Sequence, residues 1–314
     1  MTIVQLQYVL AVDHYKNFTT AAENCYVTQP TLSMQIQKLE DELGIEIFDR
    51  ASHPIKPTKI GFQIIEQARK IVNESKKIKN IVQEEKGTLE GEFVIGIIPT
   101  VYAGLTPLFL KTFLKKYPNI RLVIKELQTK EMIASIKDGS IDIGIVATPL
   151  GEEHITEAPL YYEPFIGYVP EYHKLSPKGV LTLKDLDSND ILMLEDGHCF
   201  SNSVMNICDF KRSTDKKVNF ECGNLDVLIK LCDDGFGMTV LPLLYTEDFP
   251  ENKKSRLRNF IEPVPTREIS LVYHKSMLRV TFINSLKEVI QAVIRGKISL
   301  ESTGNVISPK LEIK

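Results

Sequence analysis

The chain has no unbroken apolar stretch of about 18 residues, the length a membrane-spanning helix needs. Its opening residues, Met1-Thr2-Ile3-Val4-Gln5, show no basic segment leading into an apolar run and a small-residue cleavage site. Both absences argue against a membrane or secreted protein and make the cytoplasm the expected location. Positive charge is equally scarce. With 38 Lys and Arg against 41 Asp and Glu, the net charge is -3, so no bulk attraction draws the chain to nucleic acid or an anionic surface. Even before position 61, Lys16, Lys38, Arg50, Lys56 and Lys59 are outnumbered by Asp13, Glu23, Glu40, Asp41, Glu42, Glu46 and Asp49. Any DNA-binding role must rest on a local motif.

Cofactor and metal signatures are missing as well. Gly235-Phe236-Gly237-Met238 is glycine-rich but lacks the GxGxxG spacing, and there is no Walker A sequence, HExxH pair or metal-spaced cysteine set. Neither a cofactor nor a metal is expected. The five cysteines, Cys25, Cys199, Cys208, Cys222 and Cys232, are an odd number in a long chain, unlike a secreted disulfide scaffold.

What is present is a globular composition, 43% hydrophobic and 25% charged, over 314 residues. That length implies two or three compact units. Val4, Leu6, Val9, Leu10 and Val12 recur at three- and four-residue steps, predicting a helix from Ile3 to His14. A second short helix centres on Phe18-Thr19-Thr20-Ala21-Ala22, where paired alanines permit close helix approach. After Cys25-Tyr26-Val27, Thr28 is placed as an N-cap and Pro30 in the first turn of a third helix, Gln29 to Leu43. That helix turns Leu32, Ile36 and Leu39 inward and leaves Gln29, Thr31, Ser33, Gln35 and Gln37 largely outside. Such uncharged donors and acceptors suit base edges in the major groove. A small three-helix bundle with a polar outer face is the plainer alternative. Gly44 ends the helix, and Pro54, Pro57, Thr58 and Gly61 punctuate a two-stranded wing.

The run Ala21-Ala22, Val27-Thr28-Gln29-Pro30-Thr31-Leu32-Ser33, Ile36, Leu39-Glu40, Leu43-Gly44 and Phe48 to Arg50 resembles the DNA-binding signature of the LysR family of transcriptional regulators. The resemblance implies that Gln29, Pro30, Thr31, Ser33 and Gln35 contact double-stranded DNA, with Met34 standing where relatives often carry a basic or small residue. Gly61 to Lys86 predicts a long helix with an apolar stripe, which the resemblance implies is a dimerising linker. A palindromic target would follow from that symmetry.

Beyond Gly91, short apolar runs alternate with amphipathic segments. Strands are expected at Phe93 to Ile98, Leu122 to Ile124, Ile141 to Val146, Phe165 to Val169, Ile191 to Leu194, Met238 to Leu241 and Ile269 to Tyr273, and helices at Leu105 to Tyr117, Lys130 to Lys137 and Asp226 to Asp233. This alternation predicts parallel βαβ units. The expected fold class is α/β: a winged helix-turn-helix (1–60), a linker helix (61–87) and a regulatory domain (88–314). That domain resembles the periplasmic binding proteins, with subdomain I about 88–161 and 268–300 and subdomain II about 162–267.

Asp196-Gly197 reads as a turn that places Cys199 near a helix start, where N–H groups and the helix dipole favour a thiolate. Cys208 follows nine residues later. A peroxide would convert such a thiolate to a sulfenic acid, which a second thiol condenses to a disulfide. If the intervening segment is helical, the two cysteines stand about 13 Å apart, beyond the roughly 7 Å that a disulfide permits, so oxidation would force a rearrangement. Two ordinary buried cysteines are the alternative reading. Leu194-Glu195-Asp196-Gly197-His198-Cys199 followed by Cys208 is similar to the peroxide-sensing members of the LysR family. That similarity implies a peroxidatic Cys199, a resolving Cys208, Thr100 and Thr129 holding peroxide or water near the thiolate, Arg267 stabilising its charge and His198 orienting its surroundings. Ser201 departs from the commoner Arg, and Cys25, Cys222 and Cys232 are read as packing residues. The whole implies a homotetrameric activator of antioxidant genes that binds DNA, with RNA polymerase as a further partner, and not an enzyme. Two alternatives remain: a family member whose cleft binds a small metabolite, and a thiol peroxidase with an appended DNA-binding domain.

Overall fold

The first helix owes its start to a capping box. In the computed structural model, which describes residues 1–85, 89–186, 190–194, 199–207, 222–301, 305–307 and 309 (the side chains of 76, 77, 79–81, 83–85, 199 and 207 apart), the Thr2 hydroxyl accepts from Gln5 N–H while the Gln5 side chain accepts from Thr2 N–H. The chain then divides into two compact units, Met1–Thr88 with Asp138–Ser140, and Leu89–Lys137 with Ile141–Lys314.

In the first unit, α1 (Ile3–Tyr15) is followed by α2 (Phe18–Asn24), whose Asn17 cap accepts from the N–H of Thr19 and Thr20. Next comes α3 (Gln29–Leu43), capped by Thr28 and closed by Gly44 at φ 69°. Strands β1 (Phe48–Asp49) and β2 (Lys56–Pro57) pair antiparallel as the wing, and α4 (Lys59–Glu85) carries the chain away. Leu6, Val9, Val12, Ala21, Ala22, Leu32, Ile36 and Leu39 share one core with Ile65, Ala68 and Val72 of α4. Gly61 is required there: a Cβ at that position would lie 2.0 Å from the Ile47 carbonyl oxygen.

The second unit runs β3 (Gly91–Ile97), α5 (Pro99–Lys116), β4 (Ile120–Glu126), α6 (Thr129–Lys137), β5 (Ile143–Thr148), β6 (Ile155–Tyr168), β7 (Val180–Leu181), α7 (Cys199–Ile207) and α8 (Leu225–Asp233). It continues through β8 (Thr239–Pro242), α9 (Glu251–Lys254), β9 (Leu257–Phe260), β10 (Pro265–His274), α10 (Val280–Ile294) and β11 (Asn305–Val306). The sheet order is β4-β3-β5-β10-β6-β9-β7. Strands β4, β3 and β5 are parallel, as the alternation predicts, but β10 runs antiparallel to both β5 and β6, so the sheet is mixed. Two apolar cores result. One gathers α5, α6 and α10 around β3 and β5 through Ile95, Phe109, Met132, Ile143 and Phe282. The other gathers Phe165, Tyr168, Phe200, Leu228, Ile229 and Val240.

Three expectations are corrected. The helix after β3 begins at Pro99 rather than Leu105, because Pro99 is pre-set for a first helical turn. Strand β6 is 14 residues long, reaching well before Phe165. Pro159 and Pro164 hide it from a reading by pattern, yet Pro159 lies opposite Ser270, where the register with β10 shifts and the missing N–H is tolerated. Ile191 to Leu194 forms only isolated bridges, from Ile191 to Met238 and from Leu194 to Cys222.

Candidate DNA-reading helix and candidate redox site

Helix α3 buries Leu32, Ile36 and Leu39, and this fixes which side faces outward. Gln29, Pro30 and Thr31 are exposed in its first turn, and Ser33 and Gln35 lie half-buried one turn on. Met34 is exposed beside them. The Thr31 hydroxyl bonds the Thr28 hydroxyl at 2.8 Å, tying it to the helix start. Gln37 is committed to Asp41 at 3.0 Å. Gln35 is held from behind by α1, where the Gln5 amide donates to its backbone and side-chain oxygens. Tyr26, in the turn before α3, is 96% exposed at φ 56°, a left-handed conformation that non-glycine residues seldom adopt. Sequence reasoning passed over Tyr26 because it treated the turn as a mere connection.

Glu40 fixes the wing to α3. Its carboxylate accepts from Ile47 N–H at 2.7 Å, from Phe48 N–H at 3.3 Å and from the Arg50 guanidinium at 2.7 Å. Arg50 also lies over the Phe18 ring, 5.4 Å from its centroid.

In the second unit, Arg267 of β10 is wholly buried. Its Nε and Nη2 donate to Glu163 Oε2 at 2.9 and 2.7 Å, its Nη1 donates to the Thr100 hydroxyl at 2.8 Å, and Nη2 reaches the Thr100 carbonyl at 3.1 Å. The other oxygen of Glu163 accepts from Leu244 N–H at 3.0 Å. The structure therefore brings Thr100 and Arg267 together. It pairs Arg267 with a carboxylate, so the guanidinium is not a free cation. Thr129 opens α6 with its hydroxyl buried and, among the described residues, without a hydrogen-bond partner. Tyr161, two residues before Glu163 on the same face of β6, is likewise buried with its hydroxyl unpartnered among the described residues. Burial, and then the Glu163 charge, push that phenol well above its ordinary value, with Arg267 opposing.

Helix α7 begins at Cys199 and packs here through its second residue: the Phe200 ring lies 5.3 Å from the Arg267 guanidinium carbon and 5.6 Å from the Phe165 ring. Ser201 is buried and donates to the Leu194 carbonyl at 2.8 Å, fastening the first turn of α7 to the chain before it. His198 and Cys208 lie outside the described residues, as does the Cys199 side chain. Cys232 is buried in α8, and burial followed by the neighbouring Asp233 charge pushes its thiol up to about 12, which leaves it unreactive at neutral pH. Burial also raises Cys25. Glu163 and Phe200 were missed by sequence reasoning. A glutamate alternating inward with Tyr161 and Phe165 is the available signal for Glu163, and it is readable only once β6 is recognised. Among the described residues, no three His, Cys, Asp or Glu side chains gather to hold a metal ion, and no helix is long and apolar enough to cross a membrane.

Comparison with known proteins follows the same division. The lysR-family model of bacterial regulatory helix-turn-helix proteins matches residues 3–62, and the LysR substrate binding domain model matches residues 86–295. The DNA-binding transcriptional dual regulator OxyR of Escherichia coli (strain K12) is 34% identical over 298 residues, covering 94% of this chain and 97% of that one. A hydrogen peroxide-inducible genes activator of Haemophilus influenzae is 33% identical, covering 87% and 90%. Among solved structures, a full-length OxyR from Pseudomonas aeruginosa bearing C199D superposes with a TM-score of 0.76 at 29% identity, covering 96% of this chain and 100% of that one. An H2O2-bound OxyR mutant from Corynebacterium glutamicum gives 0.64 at 26% identity, covering 95% and 94%.

Proposed function

Since the chain belongs to the LysR family of bacterial transcriptional regulators, we propose that it is a peroxide-responsive, DNA-binding activator of antioxidant genes, switched by a reversible disulfide between Cys199 and Cys208. The observation that carries this reading is the seating of α7: its first residue is Cys199, and its second packs on the buried Arg267–Glu163–Thr100 network. Helix N–H groups at that end favour the thiolate. The thiolate attacks one peroxide oxygen, the O–O bond breaks, hydroxide leaves, and Cys199 becomes a sulfenic acid. The Cys208 sulfur then displaces that oxygen as water, forming the disulfide.

Helix α7 runs to Ile207, so its ends are about 12 Å apart at 1.5 Å per residue. A disulfide tolerates about 7 Å between Cα atoms. Oxidation therefore unwinds α7, pulls Phe200 off Arg267 and disturbs the second core. In this reading Thr129 and Thr100 offer hydroxyls to the peroxide, and His198 orients the thiol's surroundings. The N-terminal unit (1–60) reads DNA through Gln29, Pro30, Thr31, Ser33 and Gln35, the helix from 61 to 87 dimerises, and the regulatory domain (88–314) senses. The assembly is a cytoplasmic dimer of dimers that meets RNA polymerase at the promoter, and it is no enzyme, reacting about once per reduction.

Treating the reduced protein with one equivalent of hydrogen peroxide and mapping non-reduced peptides by mass spectrometry tests this. A rapid Cys199–Cys208 crosslink is expected, with altered binding to a selected operator. Switching that survives Cys199→Ser/Cys208→Ser overturns the redox reading, and many turnovers of peroxide per chain would make the protein a peroxidase.

A further inference from the structure

The amide of Gln35 has its orientation settled by hydrogen bonds that begin on another helix. Thr2 N–H can only donate, and it donates to Gln5 Oε1 at 2.8 Å. With that oxygen committed, the Gln5 amide turns its amino group toward α3. Its nitrogen donates to the Gln35 backbone carbonyl at 3.4 Å and to Gln35 Oε1 at 3.3 Å. Gln5 is only 7% exposed, so water does not readily replace either partner. Gln35 must therefore present its oxygen to Gln5, which leaves its amino group directed away from the Gln5 nitrogen.

We propose that Gln5 is a positioning residue for DNA recognition and that it makes Gln35 a hydrogen-bond donor toward the major groove. A freely rotating glutamine reads adenine bidentately, with one donor and one acceptor. Here the acceptor is turned toward Gln5, so the donor is the end left to face the bases. It selects an acceptor-bearing edge, guanine O6 or N7, thymine O4 or adenine N7, and discriminates against the amino edge of cytosine. The inference rests on the reading that α3 enters the groove, and it supplies what that reading lacks, the polarity of one contact.

The test is selection of binding sites from a randomised duplex pool by the full-length protein, followed by sequencing. Four proteins are compared: wild type, Gln35→Ala, Gln5→Glu and Gln5→Ala. Gln5→Glu keeps an acceptor for Thr2 N–H, and glutamate suits that capping position, so the fold is retained. Its second oxygen can only accept: it gives up the bond to the Gln35 backbone carbonyl and takes the Gln35 amino group as its donor, so Gln35 flips, turning its oxygen outward. The preference at one position per half-site then moves from acceptor edges to the amino groups of cytosine or adenine, by a factor on the order of five. Gln5→Ala releases Gln35, and the preference there flattens. Gln35→Ala abolishes it while other positions keep theirs. An unchanged profile for Gln5→Glu overturns the positioning role, as does a Gln35→Ala profile identical to wild type, while both leave the groove reading intact. Failure of the wild type to select any sequence overturns the groove reading itself, and the positioning role with it.

Discussion

Each unit of the chain buries one glutamate among its described residues, and the two are satisfied in opposite ways. Glu40 meets partners 7, 8 and 10 residues away: two backbone N–H groups and an arginine whose side chain is 40% exposed. Glu163 meets partners 81 and 104 residues away, the Leu244 N–H and an arginine with no exposure at all. The first is a local clasp closing a turn, and the second is a long-range bolt joining β6, β10 and, through Thr100, the start of α5. A local clasp can lose one partner and keep the rest. A bolt in a dry interior cannot, because whichever charge is left has no water to turn to.

The comparison is broken most severely at Arg267. Arg267→Met keeps most of the volume but leaves Glu163 with a single N–H donor in the interior. We expect a loss of about 3–5 kcal/mol confined to the second unit. Urea-dependent labelling of Cys232 reads it, since that thiol is protected in the fold and its own high pKa keeps it slow to react. Adding Glu163→Gln should recover at least about 2 kcal/mol of the loss, because the buried charge is then gone. A loss below about 1 kcal/mol for Arg267→Met would mean that the pair is not the bolt described.

Glu40→Ala is the matching change in the first unit. It removes an acceptor for two backbone donors and releases Arg50 into solvent, at an expected cost of about 2 kcal/mol. Labelling of half-buried Cys25 should report this, with Cys232 labelling unmoved. If both thiols respond equally, the two units do not unfold separately.

The same contrast explains what could be read from the sequence. Helix α3 was legible because everything defining it is close by: Thr28, Pro30, the Leu32–Ile36–Leu39 stripe and Gly44. The start of a helix near Cys199 was legible for the same reason, from Asp196-Gly197 just before it. The part of strand β6 before Phe165 was not, because Pro159 and Pro164 read as strand breakers, and the register shift that accommodates Pro159 lies opposite it in β10, more than a hundred residues away. With that part of β6 unseen, Glu163 had no face assigned to it. Arg267 was then assigned to the thiolate's charge with its partner Glu163 out of view. Gln35 was read only as one of several polar side chains suited to base edges, since nothing near it in sequence reveals its bond to Gln5.

The mildest test lies at Arg50. Its bond to Glu40 is as short as that of Arg267 to Glu163, 2.7 Å in both cases, so distance alone would assign the two arginines equal weight. Exposure separates them. With Arg50→Ala, Glu40 keeps the Ile47 and Phe48 N–H groups, water reaches the vacated side, and the lost stacking on Phe18 is a solvent-facing cation–π contact. The expected cost is under about 1 kcal/mol, read again at Cys25. A cost approaching that of Arg267→Met would show that the wing clasp depends on its cation rather than on the backbone, and the distinction between clasp and bolt would fall.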